Sequence, residues 1–265
     1  MPNLRTSWLV GSYFIPGGLS VTIDGTPSTW SAADQGYYLY SSTSALSMLS
    51  RFKALLDAAI GVPTLVQVRR DRKVQLNSPG GNFTVSWTST LLRDLLGFSQ
   101  GNLSGDDAYV ASSISPLLWS PLKNENPQDA PLGILGRPVG DDVFVTAPDG
   151  TTVVTSHYTQ TVNSFDWAMV PVERFQTADA LGGEFHTFWG YVLRKGYKFR
   201  LWREILESTE SSSTAVTWTE SLGPYALRPA RGPLTVPFKR SPGLTWTDAR
   251  YDVELDCLVC PEWDT

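Results

Sequence analysis

Cysteine and histidine are nearly absent from this sequence of 265 residues, which has Cys257, Cys260, His157 and His186 and no others of either type. That count excludes a disulfide-stapled scaffold, and a four-ligand zinc site would have to recruit all four residues together. Lysine is scarce as well, 6 against 15 arginines, and the 21 basic residues are outnumbered by 26 acidic ones to give a net charge of −5. An acidic chain does not suit a dedicated nucleic-acid binder, whose affinity rests on neutralising phosphates. No run approaches the roughly 20 apolar residues of a membrane-spanning helix. The opening MPNLRTSWLVGSYF has neither a charged leader nor an apolar stretch of signal-peptide length. The expectation is a protein made in a reducing cytoplasm, with no membrane span. Catalytic signatures are missing too: there is no G-x-S-x-G elbow, no H-E-x-x-H and no phosphate-binding Gly-rich loop ending in Lys.

What is present is apolar and β-forming. At 42% hydrophobic and 18% charged residues the chain can bury a real core, and its length suits one large or two modest domains. The 27 Ser, 25 Thr, 22 Gly and 18 Pro favour strands and turns over long helices. Ten Trp, ten Tyr and eleven Phe are spread along the chain, a distribution expected of cores and subunit contacts rather than one gathered site. The expected fold class is α+β, mainly β: antiparallel sheets, with one well-defined helix in the N-terminal half and a β-rich C-terminal half. Three parts are expected: an α+β module over residues 1–119, a Pro-rich connection over 120–138 and a mainly β domain over 139–265.

Periodicity places the elements. Ser7–Ser12, Leu19–Asp24 and Gly36–Tyr40 suggest strands. Leu46, Leu49, Phe52, Leu56 and Ile60 follow helical spacing, with Ser42 or Ser44 as cap and Gly61 as stop. Thr64–Arg69 and Lys73–Asn77 form a hairpin around Arg70-Asp71-Arg72, and Asn82–Trp87 alternates as a half-buried strand. Thr88-Ser89-Thr90 caps a short helix, Leu91–Leu96, stopped by Gly97 and followed by a Gly-rich loop, Ser99–Gly105, and a strand at Ala108–Ser112. Val143–Ala147, Asp149-Gly150 and Thr151–Ser156 give a hairpin signal, and Val162–Val170 a further strand. Gly183–Gly196 leans to helix. Tyr197–Arg203 alternates, Ser211–Ser213 suggests a mobile loop before a strand at Ala215–Trp218, and Tyr251–Val259 shows a full period of two.

Five features bear on chemistry. Cys257 and Cys260 have CxxC spacing, but inside a strand residues three apart point to opposite faces, so the thiols should diverge. His157 lacks a nucleophile context, and His186 suggests a residue satisfied within the aromatic cluster of Phe185, Phe188 and Trp189. Asp252, Glu254 and Asp256 share one strand face at a spacing that paired carboxylates of a glycosidase could use, although a solvated face or a charged edge accounts for them more simply. Arg69-Arg70-Asp71-Arg72-Lys73 sits on a hairpin turn, where exposed charge is ordinary. Arg194 and Lys195, with Lys198, Arg200 and Arg203, form a second basic group; Lys198 and Arg200 suit an acidic partner surface such as Asp252, Glu254 and Asp256 of another copy. No catalytic, cofactor-binding or metal residue is assigned.

The segment Phe83–Gly105, FTVSWTSTLLRDLLGFSQGNLSG, with its strand, short helix, LLGF stop and Gly/Asn loop, resembles a module in structural proteins of tailed bacteriophages. The resemblance spans about Gly36–Pro121 and implies a virion role as a minor tail, tail-tip or neck component. It further implies assembly into a ring or tube with copies of itself and other virion proteins, with no cofactor and no turnover. Two alternatives stand beside it: a tail-associated protein that binds or degrades a host-surface glycan, and a capsid decoration protein.

Overall fold

The structure is a computed structural model in which residues 4–30, 35–120, 134–146, 152–171, 174, 184–206, 210–227, 238–240 and 250–260 are described. In chain order the elements of the first half are β1 (Leu4–Ile15), β2 (Leu19–Ile23), β3 (Thr26–Trp30), β4 (Gln35–Tyr38), α1 (Met48–Ile60), β5 (Leu65–Val68), β6 (Val74–Asn77), β7 (Phe83–Trp87), α2 (Thr90–Leu95), β8 (Leu103–Asp106), β9 (Ala108–Val110) and β10 (Leu118–Trp119). The second half contributes β11 (Ile134–Thr146), β12 (Thr152–Pro171), α3 (Glu184–Phe188), β13 (Phe199–Leu206), β14 (Trp218–Leu227), β15 (Phe238–Arg240) and β16 (Arg250–Val259). The expected class, α+β and mainly β with antiparallel sheets, is what forms.

Three sheets carry the fold. The largest runs β10-β1-β13-β14-β16-β12-β11, with β4 added to the far end of β1 and β15 to β16. A second sheet runs β3-β2-β7-β8, and a third β5-β6-β9. The large sheet draws strands from both sides of the expected connection: β1 pairs β13 from Leu4↔Leu206 to Gly11↔Phe199. Residues 121–133 of that connection, and the Asp149-Gly150 turn, lie outside the described residues.

Local sequence accounts for the small module. Met48, Leu49, Phe52 and Leu56 form the buried stripe of α1, and Phe52 stacks on Trp87 at 5.6 Å between ring centroids. The cap differs from expectation. Residues Ser44–Leu46 turn as a short 3-10 helix, which moves the cap to Ser47, in extended backbone at φ −97° and ψ 120°, where its side chain accepts from the Ser50 amide at 3.3 Å. Gly61 ends the helix in the left-handed region, as the spacing predicts. The hairpin around Arg70 pairs Leu65↔Asn77 through Val68↔Val74. Ser89 caps α2, and Gly97 follows at φ 84°. The Gly-rich loop is partly strand, because β8 pairs β7.

The helix over Glu184–Phe188 widens into a π turn at Trp189–Leu193, closed by the Arg194 amide on the Trp189 carbonyl at 2.8 Å. That widened turn lies against β1. A Cβ at Gly11 would overlap Val192, so glycine is what lets the two backbones approach. The alternation expected over Tyr197–Arg203 does not sort buried from exposed to its end, because Leu201 and Trp202, on opposite faces of β13, are both buried. The strand expected at Ala215–Trp218 starts instead at Trp218, Ala215 making only an isolated bridge to Arg69.

One element outruns its neighbours. β12 pairs β11 from Thr152↔Thr146 to Phe165↔Ile134, whereas β16 accompanies β12 only between Val162↔Leu258 and Pro171↔Arg250. Residues 138–146 and 152–161 therefore continue as a two-stranded ribbon, about 30 Å long at about 3.3 Å per residue.

Candidate functional site

The sequence-derived candidates do not converge. Cys257 is fully buried and Cys260 partly exposed, both as free thiols. Burial pushes the Cys257 thiol well up, and burial likewise raises Cys260 against a smaller opposing pull from Lys198, so neither is tuned for nucleophilic work. Among the described residues no three His, Cys, Asp or Glu side chains group as a metal site, and no helix is long and apolar enough to cross a membrane. His186 is exposed, not enclosed by the aromatic cluster, because α3 turns Phe185 and Phe188 inward and leaves its opposite side to solvent. The side chains of His157, Asp252 and Glu254 lie outside what is described. The backbone nevertheless corrects the charged-edge reading: β16 runs inside the sheet, with Asp252 opposite Lys239 and Asp256 opposite Ser164. Arg200 is engaged within the chain, donating to Ser221 Oγ at 3.1 Å and to the Gly223 carbonyl, and lying 5.6 Å from the centre of the Tyr38 ring.

The strongest polar constellation is one that the sequence disguised. Arg70, placed by the β5–β6 turn, is 4% exposed, and its Nη2 donates to Glu204 Oε1 at 2.6 Å and to Glu210 Oε2 at 2.5 Å. The expectation of exposed turn charge is thus overturned, since β13 brings an acid to meet the guanidinium inside the core. Glu204 is fully buried and also accepts from Trp8 Nε1 at 3.2 Å, Thr6 Oγ1 at 3.4 Å and the Thr217 amide at 3.3 Å. Desolvation raises its carboxyl above the usual range, even though Arg70 and the Thr217 amide pull it down. Burial also brings the neighbouring Arg72 down to about 10, with Asp71 opposing, a value at which it still carries its charge at neutral pH.

Backbone stitches the same place. The Arg70 amide donates to Thr214 at 2.9 Å, Asp71 to Ser212 at 2.9 Å, and Val216 to Val68 at 2.8 Å. The loop expected to be mobile at Ser211–Ser213 is therefore tied to the hairpin. Around the joint, Tyr40 sits 4.2 Å from Trp218 and 5.1 Å from Trp202 between ring centroids, and Trp8 lies 6.3 Å from Trp218. Three of the ten tryptophans do gather, contrary to the spread expected from their positions in the sequence. Trp8 donates to the buried carboxylate, and the cluster sits at a joint between the small third sheet and the large one.

A second cluster faces outward. Lys195 donates to Tyr13 Oη at 3.1 Å and lies 4.7, 5.5 and 5.8 Å from the ring centres of Tyr13, Tyr191 and Tyr197. Beside Tyr13 in the chain, Phe14 is 41% exposed. Tyrosine-rich surfaces with an adjacent cation suit contacts between proteins.

The ribbon of β11 and β12 completes the inventory. A two-stranded ribbon is marginal in isolation, and among the described residues no further strand pairs with either of its edges. Protein-family models, curated proteins and solved structures were all compared with this chain, and none matches it.

Proposed function

We propose that this chain is a structural subunit acting by assembly with copies of itself and with other virion proteins, as a minor tail, tail-tip or neck component of a tailed bacteriophage. The observation that carries the reading is the ribbon of residues 138–146 and 152–161, which has no third strand among the described residues. Such a ribbon gains most of its stability from what it pairs with. The exposed Phe14 and the tyrosines around Lys195 support the same reading, as aromatic and apolar surface suited to protein contacts. The setting in a virion rests on the resemblance of Phe83–Gly105 alone.

Sedimentation velocity and negative-stain imaging over a concentration series test this. Concentration-dependent species of ring or tube form are the expected result. A chain that stays monomeric at every concentration, alone and with particle proteins, refutes it. Release of reducing ends from host polysaccharide would replace it with the glycan-degrading alternative.

A further inference from the structure

Two acids meet Arg70 through one nitrogen. Its Nη2 lies 2.6 Å from Glu204 Oε1 and 2.5 Å from Glu210 Oε2, which sets the two carboxylate oxygens within about 5 Å of each other, inside the range where like charges shift one another's protonation. The buried Nε and Nη1 of the same guanidinium reach no acceptor among the described residues. One cation between two anions leaves the joint with a net charge of −1, and the two acids differ in surroundings: Glu204 is fully buried, whereas Glu210 is 23% exposed. A pair of this kind titrates together, and the proton goes to the acid with less water around it.

The proton has a place to sit. Glu204 Oε2 faces Thr6 Oγ1 at 3.4 Å, and that hydroxyl accepts from Trp8 Nε1 at 3.0 Å. A hydroxyl carries two acceptor lone pairs, so Thr6 can turn from donor to acceptor and take the new O–H of Glu204. Glu204 Oε1 keeps the Thr217 amide at 3.3 Å, and Arg70 keeps Glu210. Among the described residues the other elements around Glu204 bring mostly uncharged groups. β1 presents Thr6 and Trp8, and β14 presents Trp218 with Tyr40 packed on it. The pair Arg203–Glu220 lies on the opposite face of β13. The hairpin turn adds Arg69, paired with Asp71 at 2.8 Å, then Arg72 and Lys73.

We propose that one proton, taken up by Glu204 opposite Glu210 across Arg70, is a latch on the joint between the third sheet and the large one. With the proton bound the joint is neutral and closed. Without it the joint holds a net −1, and the amides of Arg70, Asp71 and Val216, which tie the hairpin of β5 and β6 to residues 212–216, open more often. Desolvation raises the Glu204 carboxyl, and the charge of Glu210 adds to that rise. The closed joint therefore holds the proton more tightly than the open one, so closure strengthens as the pH falls through the closed value and levels off below the open value. The latch is contained within one chain and works whether or not copies assemble.

Two measurements on the full chain test the latch. In protein carrying isotope-labelled tryptophan, the Trp8 indole N–H, identified by its loss in Trp8→Phe, reports by NMR on Glu204 Oε2, to which it donates. Its resonance should titrate above the ordinary glutamate range and stop doing so in Glu204→Gln. Glu210→Gln removes the like charge at a partly exposed position and should move the midpoint down by about half a unit or more. Hydrogen exchange, corrected for its intrinsic pH dependence, should show the amides of Arg70, Asp71 and Val216 slowing by up to about tenfold per unit as the pH falls between the closed and open values. The amides that pair β2 with β3 should show no such slope. Circular dichroism confirms that each variant is folded. A Trp8 resonance that does not titrate, a midpoint indifferent to Glu210→Gln, or flat protection at the joint refutes the latch. A slope shared by β2 and β3 refutes it too, because the proton would then act on the whole fold.

Discussion

Arg70→Met is expected to destabilise the protein by about 3–5 kcal/mol near neutral pH, the cost of leaving a buried carboxylate without its cation. The magnitude follows from the joint. Arg70 is the one cation paired with Glu204 among the described residues, and Glu204 is fully buried at 0% exposure. Methionine fills much of the arginine stem's volume, so the loss is chiefly electrostatic. The formal charge of Arg70, Glu204 and Glu210 falls from −1 to −2, and of the two carboxylates only the partly exposed Glu210 meets water. Glu204 then has one remedy, to take up a proton. Its folded-state value is already raised above that of the unfolded chain. Protons are therefore bound more readily by the folded state, and this group's contribution to stability rises as the pH falls from above the folded value towards the unfolded one. Urea unfolding followed by tryptophan fluorescence, at about pH 7 and about pH 5, should show a smaller penalty for Arg70→Met at the lower pH. Adding Glu204→Gln to Arg70→Met should recover much of the loss, because the uncharged amide can keep its one oxygen on the Thr217 amide while Trp8 Nε1 retains Thr6 Oγ1 at 3.0 Å. A loss below about 1 kcal/mol, as for an exposed ion pair, or a penalty that grows on acidification, would refute the buried joint.

Gly97→Ala should cost about 2 kcal/mol or more in the same assay, because alanine at φ 84° is strained and its Cβ would overlap the Ser113 carbonyl oxygen. Gly11→Ala should cost about 1–3 kcal/mol by driving a methyl into Val192, and the paired change Gly11→Ala with Val192→Ala should be less costly than the sum of the two. Ser47→Ala removes the cap of α1 and should cost about 1 kcal/mol, with Ser44→Ala nearly neutral as the control. Asp57, beside Lys53, accepts from the Thr64 amide at 2.6 Å and from Thr64 Oγ1 at 2.7 Å. Burial pushes its carboxyl up, but these partners together hold it below the usual value. Its contribution is present above the unfolded value and is lost as the pH falls through the folded one, so Asp57→Asn should flatten the acid limb of the stability curve.

The helix α1 and the hairpin of β5 and β6 were legible in the sequence because their signals are local: one apolar stripe ending in glycine, and two alternating runs around a charged turn. The site was not. RRDRK on a turn has every local mark of exposed charge, and what buries Arg70 is Glu204, 134 residues further along. One trace existed in LWREIL, where Glu204 stands two places after Trp202 and hence on the same strand face, an acid aimed into apolar surroundings. The cap moved from Ser42 or Ser44 to Ser47 for a comparable reason. Four serines in seven residues offer equal hydroxyls, and only the tight turn at Ser44–Leu46 selects one. Exposure of His186 likewise depends on which side of α3 meets β10, which aromatic composition does not specify.

The pairing of β1 with β13 has a consequence for the order in which the molecule is made. Leu4 must wait for Leu206. At about 5–20 residues per second, some 200 residues of synthesis take roughly 10–40 s. During that interval the sheets around α1 have all their strands, because their pairings close within residues 19–110. The stretch LRTSWLVG of β1, by contrast, has no β13 to pair with and stands as an aggregation-prone edge on the nascent chain, whereas Ser12–Ile15 pairs the early β4. Truncated chains that stop before Phe199 should therefore precipitate rather than yield a soluble N-terminal fragment, whereas a chain beginning at Leu19 and ending after Val110 keeps the whole small module and discards the orphan strand.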